Sequence, residues 1–471
     1  MTAGVRGRVV VVGGGITGLA TAWMLRHGPT HGDAVRDDLD VVVLEGSERL
    51  GGKLHTAALR TATGEDLRVD VGADAFLARR PEATDLAVRL GLEDDLVAPQ
   101  SGGVWLWLGD RLRRLPEATV FGVPTDPFAL ARAEVVSPRT LARVVAEPLA
   151  PRAPLVGDAS VASVLEPRFG REVVDVLVEP LLGGVYAGSV DRLSVEATVP
   201  MIAAAARAGG GLTPGLLAHR RRVAGDTRPV FHTVAGGLGR MVQRLVDGLP
   251  AGAVRTGVRA VGLERTSAGA WRVATDAGEV LDAGHVVLTA PADATASLLA
   301  EVAPDSVEAL AGIPYASVAV VTAAWDRSAA AAVPEGSGML VPRTAGRLVK
   351  AATWSSGKWP HLDLPDTFLA RFSVGRIDDP SALELDDATL TARVLADVAD
   401  AMGVEAPPRA TRVTRWERGL PQYEVGHLDR VVAVRAGLPS GLHAAGAALD
   451  GVGIAPCVAQ AMSVASQLRD G

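Results

Sequence analysis

Two runs of valine dominate the first fifty residues, 9–12 in RVVVVGGG and 41–43 in DVVVLEGS. Short apolar runs that do not alternate and end in glycine read as strands buried on both faces, as in a parallel sheet. Residues 16–27, ITGLATAWMLRH, stay apolar over a longer window and predict a helix entered directly from the glycines. Residues 104–108 and 111–115 flank Gly109-Asp110 and predict a hairpin. From 116 to 154 the chain is proline-rich, with short helical pieces at 127–132 and 139–145. A longer helical pattern over 161–182 is interrupted by Pro167 and Pro180. A strand at 231–233, a Gly236-Gly237 turn and a helix at 238–249 repeat the opening order. Strands at 254–258 and a meander over 260–288 are expected to rejoin the first sheet. After Asp293 come a helix, strands at 316–325, 349–354 and 368–373, and an amphipathic helix over 386–402. A buried run at 442–445 reaches Gly446, and a last helix carries Pro456 in its first turn, where proline is tolerated.

These elements predict an α/β chain with a discontinuous Rossmann-like domain (1–78, 225–292 and 440–471), a mixed-sheet domain (79–97, 205–224 and 293–439) and a largely helical insertion (98–204). The glycines carry the first chemistry. In G-x-G-x-x-G, Gly13 permits the tight turn, Gly15 lets the backbone approach a pyrophosphate, and Gly18 lets helix and strand pack closely. Gly14, Ile16 and Thr17 complete a helix amino terminus whose free N–H groups favour phosphate. The second strand ends in Glu45, placed to accept hydrogen bonds from ribose hydroxyls, and Gly46 follows it. Glu45 lies beyond the usual spacing of about 20 residues, and the polar insert at 30–38 accounts for the excess. Gly51-Gly52 suggests another close approach of backbone to ligand, with Arg49 and Lys53 available to a pyrophosphate or ribityl chain.

Composition narrows the classes. The 471 residues exceed one typical core, and 48% hydrophobic with 21% charged residues is an ordinary globular balance. A net charge of −7 gives no reason to expect a nucleic-acid partner. Of 47 Lys and Arg residues only Lys53, Lys350 and Lys358 are lysines, a bias that reads as genome composition rather than function. The single Cys457 excludes an internal disulfide and a cysteine-cluster metal site, suits a reducing cytoplasm, and is expected to be buried and inert. No window reaches about 18 uninterrupted apolar residues, so the expectation is a cytoplasmic protein, with peripheral membrane contact left open.

The G-x-G-x-x-G turn, the strand ending in Glu45 and the RLGG at 49–52 resemble the FAD-binding region of the flavin amine oxidase superfamily. LLGGVYAGSVDRLSVEATVP (181–200) is similar to a segment of the oxygen-dependent porphyrinogen oxidases, which act on protoporphyrinogen IX or coproporphyrinogen III in haem synthesis. FHTVAGGLGRMVQRL (231–245), WERGLPQYEVGHLDRV (416–431) and LHAAGAALDGVGIAPCVAQA (442–461) agree with that family, so the likeness runs from end to end. It implies non-covalent FAD, with Gly72, Ala73, Asp74 and Ala75 beside the isoalloxazine ring and the backbone of Val258 against the adenine. It also implies Trp416 near the ring, and Gly446, Val452, Gly453 and Ile454 around the flavin's ribityl and pyrimidine oxygens. The implied reaction is a six-electron, O2-using oxidation with release of H2O2, followed by a ferrochelatase that receives the porphyrin. It needs no metal. Arg79 and Arg80 stand where soluble bacterial relatives place basic residues, which makes them candidates for substrate propionates. With no membrane span, they favour coproporphyrinogen III, with four propionates, over protoporphyrinogen IX, with two. No catalytic acid or base is assigned, and His427 in the LPQY segment reads as structural. The rivals are an amine oxidase, a carotenoid-type desaturase and a flavin-binding scaffold without turnover.

Overall fold

Five parallel strands build the central sheet, in the order Val254–Arg255, Asp40–Leu44, Arg8–Val12, His285–Leu288 and Leu442–Ala444. The computed structural model describes residues 7–60, 66–100, 102–150 and 152–470. Residues 1–6 and 61–65 of the predicted first segment, 101 and 151 of the predicted insertion, and 471 of the predicted last segment lie outside the described residues. The valine runs are explained by double burial. Val9, Val11 and Val43 face a core with the helices Ile16–His27 and Ile454–Asp470, while Val10, Val12, Val42 and Leu44 face a second core around Trp271 and Leu299.

The meander departs from expectation. Only its last strand, His285–Leu288, joins the parallel sheet. Ala260–Arg265, Trp271–Thr275 and Val280–Ala283 pair with one another as a separate antiparallel sheet, since Trp271, Val273 and Leu281 already bury one face against the second core. Phe231–Val234 also stays out, pairing with Phe76–Leu77 and Leu96–Val97.

A seven-stranded mixed sheet runs Ala410–Pro421, Tyr315–Asp326, Thr367–Val374, Val349–Trp354, Gly338–Leu340, Trp105–Leu108 and Arg111–Arg114. The predicted hairpin therefore leaves the helical segments that surround it in sequence. Met339 pairs with Trp105 in parallel, and the hairpin's Leu106 and Trp107 enter the cores on opposite faces. The helix Asp387–Met402 covers one face with Leu390, Val394, Val398 and Met402. It begins at Asp386, whose side chain accepts from the Thr389 N–H, and ends at Gly403 with φ 65°.

The helical segments pack as one core with Val161, Leu165, Val174, Leu177 and Leu182. Residues 205–224 belong with that core rather than with the seven-stranded sheet, through Ala206, Leu212 and Leu216. Pro167 does not break its helix, Val161–Phe169; the chain turns at Gly170, with φ 91°. Pro180 lies inside an unbroken helical run from Arg171 to Tyr186, directly after the π-helical turn Val174–Val178. Among the described residues no helix is long and apolar enough to cross a membrane.

Candidate functional site

Parallel strands end together, and the crevice beyond their carboxyl ends is where such sheets hold ligands. Here that crevice is a cavity of about 840 Å³. Gly13, Gly15, Ile16 and Thr17 line it on one side, followed by Glu45, Gly46, Ser47, Gly51, Gly52 and Lys53. Gly72, Ala73, Ala75, Trp416, Val452, Gly453 and Ile454 line it further along. Most of the predicted positions are thus brought together from segments more than four hundred residues apart.

The glycines divide the work. A Cβ on Gly15 would meet nothing within 4 Å, so that face of the turn is open to the cavity. One on Gly18 would collide with the Gly13 carbonyl oxygen, and Gly13 itself has φ 111°. Gly14 does not reach the wall: its N–H donates to Glu45 Oε2 at 2.8 Å. Glu45 Oε1 accepts from Ser47 N at 2.9 Å and from Ser47 Oγ at 2.7 Å. The carboxylate therefore braces both loops, and its remaining lone pairs are free for a ligand hydroxyl.

Four further predicted residues act from behind the wall. The Arg49 guanidinium donates to Leu50 O at 3.0 Å and Gly52 O at 2.7 Å, holding the Gly51-Gly52 turn, and stands 5.7 Å from the Trp416 ring centroid. Asp74 is turned away, paired with Lys358 at 3.1 Å and Arg371 at 3.4 Å. Burial would raise its carboxyl, but these two cations outweigh that and hold it at about 2. Val258 donates its N–H to Glu45 O at 2.9 Å, while its neighbours Arg259, Ala260 and Val261 form the wall. Gly446, with φ 134°, donates its N–H to Gln460 Oε1 at 2.9 Å, next to the wall residue Ala447.

Arg79 and Arg80 stand apart from the other predicted positions. Neither lines the cavity. Arg79 Nε donates to Arg228 O at 3.3 Å, and Arg80 pairs with Glu82 at 3.3 Å on the exposed amino-terminal turn of the helix Pro81–Arg89. His427 is fully buried and structural, as read, with Nε2 donating to Leu449 O at 2.8 Å.

Several wall residues were missed. Thr289, Ala290 and Pro291 follow the strand His285–Leu288, and the single Thr289 hydroxyl hydrogen is shared between Val12 O and Gly13 O, each 3.0 Å from Oγ1. Their position at a strand's carboxyl end was the usable signal. Gly184, Val185, Val318, Val320 and Leu420 add an apolar end near Trp416 and carry no sequence mark beyond burial. Cys457 is buried, as expected, but it stands in the wall, and burial pushes its thiol up.

The cavity fits a flavin dinucleotide. Lys53 lines it, is exposed to it, and has no ion pair among the described residues, so its ammonium is available to an anion. Two helices, Ile16–His27 and Ile454–Asp470, begin at the wall and point first-turn N–H groups towards it.

The fold and this site are those of a flavoprotein oxidoreductase, and the chain belongs to the flavin containing amine oxidoreductase family, which matches residues 16–469. Within it, the chain is 39% identical over 454 residues to a coproporphyrinogen III oxidase of Mycobacterium tuberculosis, covering 96% of this chain and 95% of that one. It is 31% identical to a coproporphyrinogen III oxidase of Bacillus subtilis, with 97% of each covered. The crystal structure of a provisionally assigned protoporphyrinogen oxidase from Exiguobacterium sp. 255-15 superposes with a TM-score of 0.84 at 31% identity, over 98% of this chain and 99% of that one.

Proposed function

We propose that this chain binds FAD non-covalently and oxidises coproporphyrinogen III to coproporphyrin III. Six hydrogens leave the substrate in three two-electron rounds, and three O2 are reduced to three H2O2. The observation that carries the reading is full-length identity of 39% and 31% to two coproporphyrinogen III oxidases, in a chain whose cavity has a dinucleotide's glycine turn at one end and an apolar wall at the other.

In this reading FAD supplies the two-electron acceptor. Gly13, Gly15 and Lys53 hold the pyrophosphate, Glu45 the ribose, and the helix amino terminus at Ile454 the pyrimidine oxygens. That helix end stabilises negative charge developing there. Trp416, Val318, Val320 and Leu420 exclude water and orient a flat macrocycle. A buried Cys457 whose thiol is pushed up stays protonated and is a poor nucleophile, which supports non-covalent binding.

The test is a side-by-side assay of coproporphyrinogen III and protoporphyrinogen IX, counting peroxide per porphyrin. Three H2O2 per coproporphyrin with a higher kcat/KM for coproporphyrinogen III supports the proposal. Faster turnover of protoporphyrinogen IX overturns the substrate. Failure of both substrates to bleach bound flavin under anaerobic mixing, at a rate that matches turnover, overturns the oxidase reading.

A further inference from the structure

The LPQY segment does not supply a reacting group, yet its side chains meet one loop. Tyr423 donates its hydroxyl to Ala447 O at 2.6 Å and accepts from Gly451 N at 2.6 Å. His427 Nε2 donates to Leu449 O at 2.8 Å. The two rings stack with centroids 3.8 Å apart and planes inclined by 14°. Both residues are buried, at 2% and 0% exposure. Gln422, also buried, donates to Tyr186 O at 2.6 Å, the last residue of the helix that supplies Gly184 and Val185 to the cavity.

The loop from Ala447 to Gly451 joins the strand Leu442–Ala444 to the helix Ile454–Asp470. Gly446 and Gly451 sit at φ 134° and 130°, backbone states open to glycine and rarely adopted by other residues. Immediately after the loop come Val452, Gly453 and Ile454, all in the wall.

We propose that Tyr423 and His427 are positioning residues for the flavin: as a stacked pair they fix the Ala447–Gly451 loop and thereby aim the Ile454 helix terminus at the cofactor, while Gln422 ties their own segment to the helix Glu179–Tyr186 at the cavity's apolar end. This rests on the flavin reading of the cavity. The pair touches neither substrate nor cofactor. Its effect is carried by three hydrogen bonds to the backbone of the loop.

The test measures FAD dissociation from the full-length holoprotein by fluorescence, together with melting of the apoprotein. Tyr423→Phe keeps the ring and the stack and removes only the hydroxyl, leaving the Ala447 carbonyl and the Gly451 N–H without their partner. Its dissociation constant is expected to rise about tenfold or more, with the apoprotein melting within about 2 °C of wild type. His427→Leu removes the third bond and weakens FAD similarly, while His427→Gln, whose amide can donate to Leu449 O, restores at least part of the affinity. Wild-type FAD affinity in Tyr423→Phe overturns the inference, as does equal loss in His427→Gln and His427→Leu. A wild-type chain that takes up no flavin instead overturns the underlying reading of the cavity. If Tyr423→Phe also lowers apoprotein melting in proportion to its FAD loss, the role is general stability and the inference is wrong.

Discussion

Arg371 Nη2 donates to the carbonyl oxygen of Gly72 at 2.5 Å, a bond from the middle of the seven-stranded sheet to the turn that lines the cavity. Gly72 has no room to move: a Cβ there would lie 2.8 Å from Trp416 Cζ2 and would collide with the Lys53 carbonyl oxygen. The same guanidinium joins Lys358 around Asp74, so one carboxylate balances two cations at the junction of the sheet and the nucleotide-binding segment. Asp74→Asn leaves both cations without their counter-charge, and a loss of about 3 kcal/mol of stability at pH 7 is expected. The Asp74 carboxyl, held at about 2, is below its unfolded value of 3.8. Its stabilisation is therefore present above pH 4 and disappears as pH falls through about 2. Denaturant unfolding of wild type and variant should differ most at pH 7 and converge towards pH 2.

Asp70 has the opposite sign. Burial pushes its carboxyl up to about 6, although Thr56 Oγ1 at 2.6 Å and the Leu238 N–H at 3.1 Å both donate to it. The folded state then holds the proton more tightly than the unfolded chain, and stability falls as pH rises from about 4 to about 6. Asp70→Asn keeps an oxygen that can accept both bonds and cannot ionise. Its melting temperature should lack the decline seen in wild type between those pH values and should equal or exceed wild type at pH 7.

Two glycines of one motif should fail differently. Gly15→Val places a side chain into open cavity, so the apoprotein should melt as wild type does and bind no FAD. Gly18→Ala drives a methyl group into the Gly13 carbonyl and should lose roughly 3 kcal/mol of stability by overpacking. Apoprotein melting and FAD titration separate the two. Loss of stability without loss of FAD in Gly15→Val would remove the phosphate-loop assignment.

The elements that were legible in the sequence share a cause. The valine runs, the 16–27 helix and the glycine turn are local patterns whose burial on both faces leaves no alternative reading, and the strands and helix from 316 to 402 follow period and length alone. Tertiary pairing was not legible. Trp105–Leu108 alternates like any hairpin strand, and nothing local says that its partner is Gly338–Leu340. The same limit applies to the site. Gly15 and Lys53 announce themselves by residue type and spacing, whereas Val318 and Val320 line the cavity as ordinary core valines of a long strand. Asp74 shows the converse: it sits among wall residues in sequence, but two distant cations turn its carboxylate away.

Lys53 and the pair Arg79 and Arg80 give the last contrast, between a cation in the wall and two outside it. Lys53 faces the cavity and has no ion pair among the described residues, so a phosphate beside it would form a charge-assisted bond. Lys53→Met keeps the apolar stem and removes the charge. Its FAD dissociation constant should rise about 10- to 100-fold, and the loss should be steeper at low ionic strength, where wild-type attraction is least screened. Arg79 and Arg80 are exposed and bonded to Arg228 O and Glu82. Replacing both with Ala should change FAD affinity and the Michaelis constants for coproporphyrinogen III and protoporphyrinogen IX by less than about twofold. A selective rise for coproporphyrinogen III would show that a propionate reaches these arginines after all and that the substrate extends beyond the cavity wall described above.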